Sequence, residues 1–171
     1  MANFHFITNW KIDAPVNQVY EIIKDSSKLS EWCPSVYLEV KTLEQGFPNG
    51  IGKKVALFTK GYLPYTLRWN FEVTQIIPNK KLALDAYGDL EGKGLWTFTE
   101  LSNGGCEVNY DWNIEFKKKG LSAFSFILRP IFEFNHRWAM KKAYISLLLE
   151  IKRRQGVLNV EAPPAPTFYF G

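Results

Sequence analysis

Sulfur and histidine are scarce in this chain: its 171 residues include two Cys, two Met and two His. Cys33 and Cys106 have no CxxC spacing and no group of histidines beside them, which argues against a zinc site and against a disulfide scaffold. No run of about 18 uncharged apolar residues occurs, so no helical membrane span is expected. The opening residues, Met-Ala-Asn-Phe-His-Phe, lack a basic segment leading into an apolar core; no secretory signal is expected, and the cytoplasm is the expected location. Phosphate-cradling glycine loops, nucleophile elbows, catalytic carboxylate pairs and internal repeats are also missing. No zinc site is therefore expected from these residues.

Aromatic side chains are abundant instead, at 16% of residues within a hydrophobic fraction of 46%. These side chains bury the most surface and line small-molecule pockets. The excess of basic residues is modest, 21 Lys and Arg against 17 Asp and Glu. They fall at strand edges, in Lys117-Lys118-Lys119 and at the end of the last helical segment, which reads as a solvated face. Without an RNA-recognition signature, nucleic-acid binding is not expected. Transient contact with an anionic membrane is the more natural use of such charge in a lipid-handling domain.

The apolar pattern sets the order of elements. Phe4 to Ile12 reads as a strand closed by Asp13-Ala14-Pro15, with Pro15 suited to the first position of a helix carrying Val16, Val19, Tyr20 and Ile23. A second short helix, near Lys28 to Trp32, follows the cap candidates Ser26 and Ser27 and ends at Pro34. From there to Lys117 the period is two, giving six more strands. Pro48-Asn49-Gly50, Pro78-Asn79, a glycine-rich bend at Gly88, Gly92 and Gly94, and Asn103-Gly104-Gly105 supply the turns. The last strand is the clearest, with Val108, Tyr110, Trp112, Ile114 and Phe116 on one side and Asn109, Asp111, Asn113 and Glu115 on the other. Beyond Gly120, Pro130 separates a short apolar lead-in from a main helix running to Arg154, with Gly156 as its C-cap candidate. Residues 1–156 read as one domain, and residues 157–171, containing Ala162-Pro163-Pro164-Ala165-Pro166, as a tail or arm.

Strand, two short helices, six strands and one long helix make an α+β order rather than a βαβ alternation. A helix about 10 Å wide cannot fill a strongly twisted seven-stranded sheet. The remaining volume is either packed with large aromatics or left open for a ligand. The final helix places Phe132, His136, Ala139, Met140, Ala143 and Leu147 in one sector, with the alanines leaving room where it faces the sheet. Its far side, with Ile131, Trp138, Ile145 and Leu149, is apolar too, so cover by the tail or a second subunit is expected; a dimer is one option.

At this point the sequence resembles a known family: the polyketide cyclase/dehydrase branch of the START and birch-pollen-allergen-like superfamily (SRPBCC). The landmarks are Ile12-Asp13-Ala14-Pro15-Val16, Val19-Tyr20, Asp25, Trp32 and Pro34, then Asn49-Gly50-Ile51-Gly52-Lys53. Glu72 to Pro78 with Lys81-Leu82, Gly94 to Phe98, and Gly104 to Val108 complete the set, over residues 4 to 155. The resemblance implies a helix-grip fold, a seven-stranded curved antiparallel sheet around one long C-terminal helix, with an internal cavity and no obligatory metal or cofactor. Lys60 to Trp69 and Phe134 to Met140 depart from the general pattern of that superfamily.

The expected ligand-contacting set is Leu57, Trp69, Phe71, Trp96, Phe98, Tyr110 and Trp112 on strands, with Phe132, His136, Met140 and Ala143 on the final helix. His136 is the one candidate for proton transfer; a histidine satisfied by a neighbouring group is the plainer account. Strand parity puts Arg68 and Asp111 on the outer face, Asp89 in a bend, and Arg137 about 100° around the helix from His136. The leading expectation is a binding or carrier protein for a small hydrophobic ligand such as a lipid, isoprenoid, pigment or polyketide-like molecule. A polyketide cyclase/dehydrase-type enzyme and a protein-interaction module with a vestigial cavity are the alternatives.

Overall fold

The computed structural model describes residues 3–170. Strand β1 (Asn3–Ile12) leads through helix α1 (Val16–Lys24), a 3-10 turn (Ser26–Lys28) and helix α2 (Leu29–Trp32) into a meander. The meander comprises β2 (Tyr37–Glu44), β3 (Lys54–Lys60), β4 (Thr66–Ile77), β5 (Lys81–Gly88), β6 (Leu90–Glu100) and β7 (Cys106–Phe116). A short helix α3 (Leu121–Phe124) then precedes α4 (Arg129–Arg154). All seven strands form one antiparallel sheet in the order β1-β7-β6-β5-β4-β3-β2, so β1 and β2 are its edges. This curved sheet and its long helix form the expected α+β arrangement.

Local chemistry accounts for the boundaries and corrects several expectations. Pro15 is the N-cap of α1 rather than its first residue, with an extended ψ of 141°. The cap of the next turn is Asp25, not Ser26 or Ser27: its carboxylate accepts from the Ser27 amide and hydroxyl. Gly92 and Gly94 lie inside β6 instead of in a bend. Gly94 sits opposite Trp112, and a Cβ there would come within 3.0 Å of that indole. The missing side chain is what lets the ring lie against the sheet. The C-cap of α4 is Gln155 rather than Gly156, which follows it at φ +81°, with the Val157 amide donating back to the Lys152 carbonyl.

The core lies between the concave face of the sheet and the Phe132, Ala143, Leu147 and Ile151 side of α4. Tyr20, Ile22 and Ile23 of α1 plug one end. Buried apolar side chains stabilise such a domain by about 2 kcal/mol each. The tail is an ordered arm that doubles back along the domain. Tyr169 packs edge-on against Phe58, Thr167 and Phe168 oxygens accept from the Lys60 ammonium, and the Phe170 amide donates to the Pro64 carbonyl. The arm therefore runs from the last turns of α4, where Arg153 donates to the Glu161 carbonyl, to β3 and its loop; farther along α4, Tyr62 packs on Trp138 and Ile131 stays exposed.

Candidate functional site: the cavity between sheet and helix

Two adjoining voids, of about 110 and 70 Å³, lie between the sheet and α4. Val36, Tyr37, Trp69, Tyr110, Ala139 and Met140 border both. The first void extends toward Trp112, Phe132 and His136, and the second toward Leu57, Phe71, Trp96 and Ala143. Of the candidate residues, Phe98 alone borders neither void: it faces away toward α1 and meets the Tyr20 ring edge-on at 5.2 Å. Strand parity is right for Phe98, but at that level the sheet is already capped by the short helices.

The walls are mostly rings. Trp96 stacks on Tyr110 with centroids 3.9 Å apart, Tyr110 lies 5.6 Å from Trp112, and Trp112 lies 5.5 Å from Trp69. The Trp69 indole N–H donates to Thr59 Oγ1 at 2.9 Å, so that ring is held by a polar bond as well as by packing. An engineered apolar cavity of about 150 Å³ holds one benzene. Each void alone is smaller than that and only the two together have room for about one ring; Met140, flexible and shared by both, is the side chain whose rotation would join them.

The polar groups facing the voids are uncharged at neutral pH, apart from Lys60 at the rim. Burial raises the pKa of Tyr37, and burial with the neighbouring Tyr37 raises that of Tyr110 further, so both stay phenols. His136 borders the first void with its Nε2 buried and without a hydrogen-bond partner. Burial, with a smaller contribution from the Arg137 charge, lowers its pKa to about 4, so the imidazole is neutral. Its ring lies flat on Phe6 of β1.

Sequence reasoning missed several wall residues. Tyr37 escaped because a bulge between Tyr37 and Glu39 resets the parity of β2, so Tyr37 and Val40 both face the core. Asn135 was invisible as a buried polar residue on a helix. Its Oδ1 accepts from the Leu63 amide at 2.8 Å and its Nδ2 donates to the Tyr65 hydroxyl at 2.8 Å. Asn135 thereby ties the β3–β4 loop to α4, and Gly61 makes room for it, since a Cβ there would fall 2.5 Å from Asn135 Oδ1. The unusual stretches Lys60 to Trp69 and Phe134 to Met140 are thus the two halves of one contact.

The remaining polar candidates lie elsewhere. Arg68 stacks its guanidinium over the Phe58 ring on the outer face, and Asp111 pairs with His5 there at 2.9 Å. Asp89 is a backbone anchor, accepting from the Arg68 amide at 2.7 Å. Arg137 faces a surface groove between β1 and α4. Among the described residues no His, Cys, Asp and Glu cluster could hold a metal ion, and no helix is long and apolar enough to cross a membrane. Lys60, Gly61, Leu90 and Phe116 also border the first void, and Tyr62, Phe124, Phe126 and Ile127 are exposed on the surface.

Residues 12–133 match the family model described as "Polyketide cyclase / dehydrase and lipid transport". The chain belongs to this family. Solved structures agree on the fold. The Zhui aromatase/cyclase from Streptomyces sp. R1128 superposes with a TM-score of 0.73 at 16% identity, covering 90% of this chain and 96% of that one. A START superfamily protein from Mycobacterium smegmatis gives 0.70 at 12% identity, covering 88% and 98%. A norcoclaurine synthase from Thalictrum gives 0.64 at 9% identity, covering 90% and 97%. No curated protein matches the chain in sequence. Membership of this polyketide cyclase/dehydrase family fits hydrophobic-ligand binding or cyclisation and does not choose between them.

Proposed function

We propose that this polyketide cyclase/dehydrase family member binds and carries a small hydrophobic ligand, with Leu57, Trp69, Phe71, Trp96, Tyr110, Trp112, Phe132, His136, Met140 and Ala143 around it. The carrying observation is the pair of aromatic-lined voids, with Tyr37 and Tyr110 as the neutral hydrogen-bonding groups at their shared border. Apolar walls supply most of the affinity and the phenols orient a carbonyl or hydroxyl oxygen. Phe98 contributes to the plug beneath the site rather than to contact.

A cyclase or dehydratase is the second reading, and His136 supports it. A neutral imidazole with an unpartnered nitrogen at the cavity wall can take a proton from an acidic carbon or hydroxyl, provided the substrate brings that proton within about 3 Å.

Native mass spectrometry of the purified protein tests the first reading, with a co-purifying hydrophobic species as the expected result. An empty protein that also fails to take up aromatic or polyketide-like probes overturns it and favours an interaction module. Substituting His136→Ala then separates carrier from enzyme. A carrier keeps most of its ligand affinity, whereas an enzyme keeps the ligand and loses turnover.

A further inference from the structure

Among the described residues, the junction between β1 and α4 is tied by hydrogen bonds at its two ends only. At one end the Arg129 guanidinium donates to the Asn3 carbonyl, and at the other the Tyr144 hydroxyl donates to the Lys11 carbonyl. Aromatic pairs reinforce both ends: Phe4 on Phe132, and Trp10 on Tyr144. Between them the wall consists of Phe6, His136 and Met140, which border the inner void on one side and a surface groove of about 460 Å³ on the other. The Phe6–His136 stack, with centroids 4.0 Å apart, spans this stretch without any hydrogen bond to His136 Nε2.

The groove outside differs from the cavity in chemistry. Glu133, Arg137 and Lys141 follow one another at intervals of four along α4 and so share the stripe that faces β1. Glu133 lies 3.9 Å from Arg129, whereas Arg137 and Lys141 form no ion pair among the described residues. Thr8 and the partnerless His136 Nε2 add hydrogen-bonding groups to the residues that line the groove.

We propose that this groove is the acid-binding subsite of an amphipathic ligand. The apolar part of that ligand lies in the inner cavity, and its carboxylate, sulfonate or phosphate group passes between Phe6 and Met140 to Arg137 and Lys141. This rests on the cavity reading above and extends it by naming the ligand class. Arg137 holds such a group in a planar fork and Lys141 supplies a second positive charge. Apolar binding and charge recognition are then divided between two sides of one thin wall, with His136 at the threshold.

Two fluorescent probes with the same anilinonaphthalene skeleton test it: N-phenyl-1-naphthylamine, which is neutral, and 8-anilino-1-naphthalenesulfonate, which adds the acid. With the full chain, the double variant Arg137→Ala/Lys141→Ala is expected to weaken the sulfonate roughly fivefold or more and to change the neutral probe by less than about twofold. Ala139→Trp, which fills the inner cavity, is expected to weaken both probes, and Ala143→Leu provides a milder filling if the tryptophan variant does not fold. If the double variant weakens neither probe, or both equally, the acid subsite is wrong while the cavity stands. If cavity filling spares the sulfonate, groove and cavity hold separate molecules and the proposal fails. If the wild-type protein binds neither probe, the cavity reading itself falls.

Discussion

The His136 imidazole lies face to face on the Phe6 ring, 4.0 Å between centroids and 16° from parallel, joining the middle of α4 to an edge strand of the sheet. This contact holds a titratable group in an apolar stack, and its first consequence is a pH dependence of stability. The folded-state pKa of about 4 lies below the ordinary value of 6.5. The unfolded chain therefore binds the proton first, and stability falls as the pH drops from about 6.5 to about 4, by roughly 3 kcal/mol in total. Comparing urea denaturation of wild type and His136→Gln across that range isolates this contribution from the carboxylates. The variant is expected to show a flatter profile, and parallel profiles would refute the assignment.

Asn135 joins the β3–β4 loop to α4 through both of its amide atoms. Asn135→Ala leaves the Leu63 amide and the Tyr65 hydroxyl without partners and is expected to cost about 1–3 kcal/mol. Hydrogen exchange at the Leu63 amide should accelerate well beyond what global destabilisation explains. Unchanged exchange there would mean that the loop is held by something else.

Cys33 and Cys106 are fully buried, and burial pushes the Cys33 thiol up to about 12. Both thiols are expected to resist a disulfide reagent in the native protein and to react only on unfolding. Their labelling rate then reports opening of the domain. Stoichiometric labelling within seconds under native conditions would contradict the burial.

The arm after Gly156 covers Phe58 and caps the Lys60 ammonium with neutral oxygens. Truncation after Gly156 is expected to leave a folded domain, less stable by about 1–3 kcal/mol through exposure of that ring. Circular dichroism and thermal melting measure both parts. Loss of folding would mean that residues 1–156 are not an independent domain.

The strands and the first helix were legible from periodicity because most are apolar mainly on one face, whereas the long helix, apolar on both sides, was legible from its helical spacing between Pro130 and Gly156. β7 is the extreme case, with every second residue from Cys106 to Phe116 buried. Periodicity failed where the backbone departs from regularity. The bulge at the start of β2 hid Tyr37, and the uninterrupted pairing of β6 through Gly92 and Gly94 looked like a bend. Both miss the same physics: a local pattern does not report what faces it across the sheet, and Gly94 is intelligible only beside Trp112. His136, Met140 and Ala143 could be placed at the wall because a helix fixes angular position from spacing alone. The Asn135 tie and the course of the arm depend on contacts between residues about 70 to 110 positions apart, which no local pattern encodes.

The rings Trp10, Trp96, Tyr110, Trp112 and Trp69 run in sequence along the sheet, each within 5.8 Å of the next. Four of these five are indoles, spaced closely enough for excitation on one to reach its neighbours before emission. The protein consequently carries its own optical gauge: anything that slides into the hollow changes the colour and polarisation of its intrinsic light, with no dye attached.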